Sequence, residues 1–146
     1  MTPFRFRLER VLVWRRRELD LEQHKARQLA AALEDTARAI ALNAVERTAA
    51  ETAVAGAHHH DGAELEAHAA YLDCLVRRER KLEKRRLEQE RNLAEQRVRL
   101  MEARRRAQLL EKLRSRRLEE WEAAANRELE SFAAESHLNR WRPGPR

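Results

Sequence analysis

Apolar residues recur along this chain in steps of three and four, with charge between them. Leu12, Leu19, Ala26, Leu33 and Ile40 fall at equal intervals of a heptad, the repeat of a coiled-coil seam. Leu8, Leu29, Ala30, Ala37 and Ala44 flank that seam. The spacing predicts a first helix over residues 3–53, with Thr2 as its N-cap and Pro3 in the first helical position. The alanine-rich second half of this helix lets a partner helix approach closely. The pattern breaks at residues 54–62, VAGAHHHDG, which hold two of the three glycines. Gly56 is the expected helix end, in the left-handed conformation that glycine adopts cheaply. Asp61 with Glu64 three residues on makes a capping-box-like start for the next helix.

A second helix is predicted over residues 63–139, followed by a frayed tail, 140–146. Its stripe consists of Leu65, Leu72, Leu75, Leu82, Leu93, Leu100 and Leu110, interrupted by Glu79, Arg86, Gln89 and Gln96. Polar seam positions of this kind cost stability but hold register. Beyond Leu110 the phase changes. Leu118, Trp121, Ala125, Leu129 and Phe132 form a new stripe offset by four extra residues, a stutter that locally unwinds a supercoil.

Length turns two helices into an arrangement. At 1.5 Å per residue the first helix spans about 75 Å and the second about 117 Å. A short loop makes them antiparallel. The first helix then runs out of chain opposite residue 113, near the stutter. The expected fold is all-α: a single-domain, long antiparallel two-helix coiled coil with helix 2 overhanging. Trp121, Leu129 and Phe132 are expected to lack a partner within the chain.

Composition agrees with long helices. Charged residues make up 38% of the 146 residues, against roughly 25% in ordinary soluble domains. Disordered chains also carry much charge but few periodic apolar residues; here 42% are hydrophobic and fall at helical spacing. A coiled coil buries a seam rather than a sizeable core, so a deep pocket has no natural place. No run approaches the ~20 apolar residues of a membrane span. The start of the chain, MTPFRFRLERVLVWRRR, lacks the apolar stretch of a secretory signal. Its arginines allow a transit peptide, but Glu9 and the unbroken run into the first helix argue against one.

The net charge of +6 is segregated. Residues 1–17 carry net +5, residues 18–76 net −7, residues 77–117 net +10 and residues 118–146 net −2. In an antiparallel hairpin the acidic part of helix 1 lies beside part of the basic block. The arginines near the start converge on residues 100–117, at the end away from the loop. Glu95 with Arg99 and Glu102 with Arg106 are spaced for pairs along one helix face.

Candidate chemistry is sparse. His58, His59 and His60 form a histidine tract of a kind that can bind metal, but three consecutive residues in a loop read as solvated. Cys74, the lone cysteine, reads as a buried helical thiol and is weak evidence for a reducing compartment. The basic block suits phosphates, with salt-dependent binding. It lacks a Gly-rich loop, a zipper-type basic region and an aromatic stacking platform, and acids interleave it. No nucleophile–base pairing or paired cysteine ligands appear. An enzyme is not expected, nor a cofactor or a metal. Trp14, Trp121 and Trp141 all fall toward the open end, either as interface anchors or packed on one another as a cap.

The segments FRFRLERVLVWRRRELDLE and LLEKLRSRRLEEWEAAANRELESF, with the alanine-rich middle between them, resemble FliJ proteins of the bacterial flagellar export apparatus. The resemblance spans nearly the whole chain, and LEKLRSRRLEEW is its most diagnostic run. Where many relatives continue with an Asp-Glu pair, this chain has Ser131–Phe132. The resemblance implies a cytoplasmic antiparallel two-helix stalk, peripherally associated with the inner membrane at the flagellar base. Such a stalk inserts its terminal end into the hexameric export ATPase, contacts the membrane export gate and escorts export chaperones. Carried onto this chain, the ATPase-binding residues are Arg5, Arg7, Arg10, Trp14, Leu113, Arg114, Arg116, Arg117, Leu118, Trp121, Leu129 and Phe132. The alternatives are an injectisome stalk homologue, a basic coiled coil on nucleic acid or ribosome, and a homodimer whose overhangs pair with each other.

Overall fold

The computed structural model describes residues 2–59 and 61–141, apart from the side chain of Asn139. The described residues form two helices, α1 (Glu9–Gly56) and α2 (Gly62–Arg140). The fold class expected from the heptads is therefore the one observed: an all-α pair of long helices joined by a short loop. The helices meet antiparallel. Within one compact unit, residues 20–101, Asn43 reaches Leu75 and Gln96 reaches Glu22. Within another, residues 2–19 with 102–141, Glu9 reaches Arg114 and Arg16 reaches Glu111.

The seam in α1 is regular. Buried or half-buried residues fall at 12, 15, 19, 22, 26, 29, 33, 36, 40, 43, 47, 50 and 54, in alternating steps of three and four. Alternate members are the leucines, alanine and isoleucine of the heptad, followed by Arg47 and Val54. The other members are largely polar: Arg15, Glu22, Thr36 and Asn43 share positions with Leu29 and Ala50. Ala37 and Ala44, expected beside the seam, face solvent. In α2 the same rhythm runs from His68 through Leu75, Leu82, Leu93, Leu100 and Ala107 to Leu110 and Arg114. Then two steps of four come together, Leu110 to Arg114 to Leu118, before Trp121 and Ala125. The stutter is real, and it falls at Arg114–Leu118.

The core is thin. Leu12 and Leu75 are 0% exposed, and fully burying a leucine stabilises by about 1.5–3 kcal/mol. Polar members of the seam are held by bonds across it. In unit 20–101 the Asn43 amide donates to the Leu75 carbonyl at 3.1 Å, but its buried Oδ1 has no partner among the described residues. The buried Gln96 amide donates to both the main-chain carbonyl and the carboxylate of Glu22. That bond, joined by Lys25, pulls the Glu22 carboxyl below its ordinary pKa. Arg47 lies between Glu51 and Glu79, at 3.0 Å from each. The bond to Glu51 leads the rise of its pKa above the ordinary arginine value. Arg78 reaches Glu46 at 3.1 Å, so the acidic side of α1 does neutralise part of the basic block.

Several boundaries depart from expectation. Gly62 opens α2, with the Leu65 amide bonded to the Asp61 carbonyl at 3.1 Å. Gly56 closes α1 without a positive φ, so no left-handed cap is formed there. Cys74 is exposed rather than buried. It follows from its neighbour: Leu75 takes the seam position, and one residue is a rotation of about 100° on a helix. Residues 142–146 of the expected frayed tail lie outside the described residues, as does His60. The largest correction is at the start of α1. Thr2 and Pro3 do not open the helix, which begins at Glu9.

Candidate partner-binding site

The late start of α1 has a local cause. Phe4, Arg5, Phe6, Arg7 and Leu8 alternate apolar with basic, a period of two that suits extended backbone rather than a helix. Phe4 and Phe6 are half-buried while Arg5 and Arg7 are exposed, so one side of this non-helical segment is laid against protein. Its anchor is Trp121. The Phe4 ring sits 6.1 Å from the Trp121 ring, tilted by 57°, within the range of favourable aromatic pairs. The Trp121 Nε1–H donates to the Thr2 carbonyl at 3.3 Å. A turn then feeds the helix: the Glu9 amide bonds to the Phe6 carbonyl at 3.1 Å and the Leu12 amide to the Leu8 carbonyl at 2.9 Å. Glu9 stands in the first turn, where the helix dipole favours an acid, and it accepts from Arg114 at 3.1 Å.

Between the segment and α2 lies an open groove of about 1170 Å³. Its apolar lining includes Phe4, Phe6, Leu8, Leu113 and Trp121, and Arg5, Arg7 and Arg117 stand at its edge. Arg117 is paired with Glu120 at 2.9 Å. Arg5 and Arg7 form no salt bridge among the described residues, and neither does Arg10. The groove therefore offers hydrophobic surface with uncompensated guanidinium groups beside it. Such a site suits a partner that brings apolar side chains together with carboxylates or phosphates, since arginine pairs with both in bidentate geometry.

The expected site residues divide. Arg5, Arg7, Leu113, Arg117 and Trp121 line one groove. Arg10 is exposed on the first turn of α1, and Leu118 is half-buried at the shifted seam. Arg114 is held by Glu9, which leaves it part of the hairpin's own bonding. Arg116 lies apart, beside Lys112 and Glu119. Trp14 is 56% exposed with the Arg15 guanidinium 4.5 Å over its ring. Trp121 takes Phe4 rather than another tryptophan, which corrects both the tryptophan cap and the unpartnered Trp121. Leu129 and Phe132 are 63% and 71% exposed and line a separate shallow groove. Sequence reasoning missed Phe4 and Phe6. Their signal is the two-residue alternation, which a helix over residues 3–53 leaves without meaning.

The spaced carboxylates also choose differently from expectation. Arg106 reaches Glu18 of α1 at 3.7 Å rather than Glu102 on its own helix. Among the described residues no group of three or more His, Cys, Asp and Glu side chains is placed to hold a metal ion. Among the described residues no helix is long and apolar enough to cross a membrane. Compared with known proteins, the chain matches no family model, no curated protein and no solved structure.

Proposed function

We propose that this chain is a non-catalytic coiled-coil component of the flagellar protein export apparatus. In this reading it is a stalk that seats its terminal end in the export ATPase ring, couples that ring to the export gate and escorts export chaperones. It works in the cytoplasm, peripherally associated with the inner membrane. The reading starts from the FliJ-like segments of the sequence. One structural observation carries it: the groove of Phe4, Leu113 and Trp121, edged by Arg5 and Arg7, which form no salt bridge among the described residues. A stalk requires a binding surface at its terminal end, and this unit contains the first residues of the chain and the late part of α2.

The mechanism is one of binding. Apolar anchors in a groove with a charged edge give specificity at the centre and electrostatic steering at the rim. Coupling then amounts to a difference in affinity between states of the ring, since a ligand shifts an equilibrium only by binding one state more tightly. The test is co-purification of the full chain with the cognate hexameric ATPase and measurement of ATP turnover. The expected result is a stable complex and faster turnover, both lost in Arg5→Glu/Arg7→Glu. A chain that neither binds nor stimulates the ATPase overturns the reading; retention on heparin with a steep loss in salt would point to nucleic acid instead.

A further inference from the structure

Two apolar faces remain that the groove does not use. The first is on α2 within residues 20–101. Leu87, Val98 and Met101 are each more than half exposed, and the exposed Ala94 lies among them. At about 100° per residue these four cluster on the side of α2 turned away from the buried Leu93 and Gln96. Arg80, Lys84 and Arg91 share that side and form no salt bridge among the described residues. Residues 77–101 hold ten cations against five carboxylates. Glu83 and Glu90 flank Leu87 on the other edge of the stripe but are paired with Arg86, and Glu95 stands beside Val98. This face is therefore an apolar stripe in a frame of net positive charge.

The second face lies on the last turns of α2. Ala125 is the last buried residue of the seam among the described residues, and Leu129 and Phe132 continue its stripe exposed. They line a shallow groove of about 360 Å³ with Glu128 and Glu135 at its sides. Glu122 falls on the same side of the helix at about 100° per residue, and residues 118–141 hold six carboxylates against two arginines. This face is an apolar stripe in a negative frame.

We propose that the two faces are complementary halves of one contact between copies of this chain. The acidic stripe of Leu129 and Phe132 on one copy packs as a helix on the basic stripe of Leu87, Val98 and Met101 on a second copy. Pairing each face with its own kind sets carboxylate against carboxylate or guanidinium against guanidinium, and like charges across an interface are strongly disfavoured. The cross-pairing is therefore preferred over a dimer in which the two overhangs meet. Each face is only a few helical turns long, so the contact belongs with small, weak interfaces and depends on its charges. The inference stands apart from the export reading, because it requires no other protein.

The test uses the full chain in sedimentation velocity over a range of concentrations. The expected result is a mean mass that rises with concentration at low salt and returns to the monomer at high salt. Arg80→Glu/Lys84→Glu/Arg91→Glu weakens association by about tenfold or more, as does Glu122→Lys/Glu128→Lys/Glu135→Lys on the opposite face. All these residues are exposed, and circular dichroism verifies that each variant stays helical. Combining both sets in one chain restores association, because each face then meets its reversed complement. A chain monomeric at every concentration overturns the proposal. So does association that neither reversal weakens, or a combined variant that does not recover. Binding of an added acidic amphipathic peptide by a strictly monomeric chain would assign the basic stripe to a foreign helix and also overturn it.

Discussion

Single residues carry unequal weight in a molecule with so thin a core. Leu75 is fully buried and its carbonyl is the acceptor for Asn43. Leu75→Ala is expected to cost about 2–5 kcal/mol, toward the lower end because two helices can close on the space. Leu129→Ala, at a position 63% exposed, should stay within about 0.5 kcal/mol. Urea unfolding of both variants checks the contrast. Glu22 sets a pH dependence. Its folded-state pKa is lowered by the Gln96 bond and by Lys25. It therefore contributes stability that is fully present above the ordinary unfolded carboxylate value, about 4.3, and is lost as pH falls through the lowered folded value. Glu22→Gln should unfold at a lower temperature than wild type at neutral pH, with the gap closing in acid. Thermal melts from neutral to strongly acidic pH would show it; a gap that widens in acid would refute the assignment.

At the scale of elements, the stutter and the extended start belong together. Two successive steps of four bring Leu118, Trp121 and Ala125 onto a new stripe, and that stripe receives the Phe4 segment rather than another turn of α1. Besides the partial burial of Phe6, one aromatic pair and one long indole hydrogen bond hold the segment there. An aromatic pair is worth about 0.5–1.5 kcal/mol beyond area burial. Phe4→Ala should therefore release residues 2–8 while leaving α1 and α2 folded. The expected readout is faster proteolysis after Arg5 and Arg7, a shift in tryptophan fluorescence and an unchanged helical circular-dichroism signal. Loss of helix content in Phe4→Ala would mean that the segment instead nucleates α1. Elements also explain why Arg114, although an arginine near the converging end, differs from Arg5 and Arg7. The first-turn acid Glu9 already holds it.

For the whole molecule, charge is the organising quantity. The basic block of α2 is larger than the acidic side of α1 can neutralise, and the surplus lies on the face that the seam leaves outside. The ATPase and self-association experiments address different surfaces, Arg5 and Arg7 in one case and Arg80, Lys84 and Arg91 in the other. Charge reversals that move one readout and spare the other would separate the two roles.

The chain's own periodicity determined the two helices, their seam, the loop and the stutter, because a repeat of three and four maps directly onto one helix face. It also determined that charge would be segregated along the chain. Only the tertiary structure decided what the ends of the pattern do. Thr2 and Pro3 satisfy local rules for a helix start, yet the segment stays out of the helix and lays Phe4 on Trp121, more than a hundred residues away. Long-range burial of an aromatic ring outweighs local capping there. It likewise decided which arginines are taken, because whether Arg106 bonds Glu102 or Glu18 depends on what the opposite helix presents. The site was legible in its residue types, arginine with aromatic, but its composition was not. Most of its apolar lining comes from a segment whose two-residue rhythm has meaning only once a surface lies beneath it.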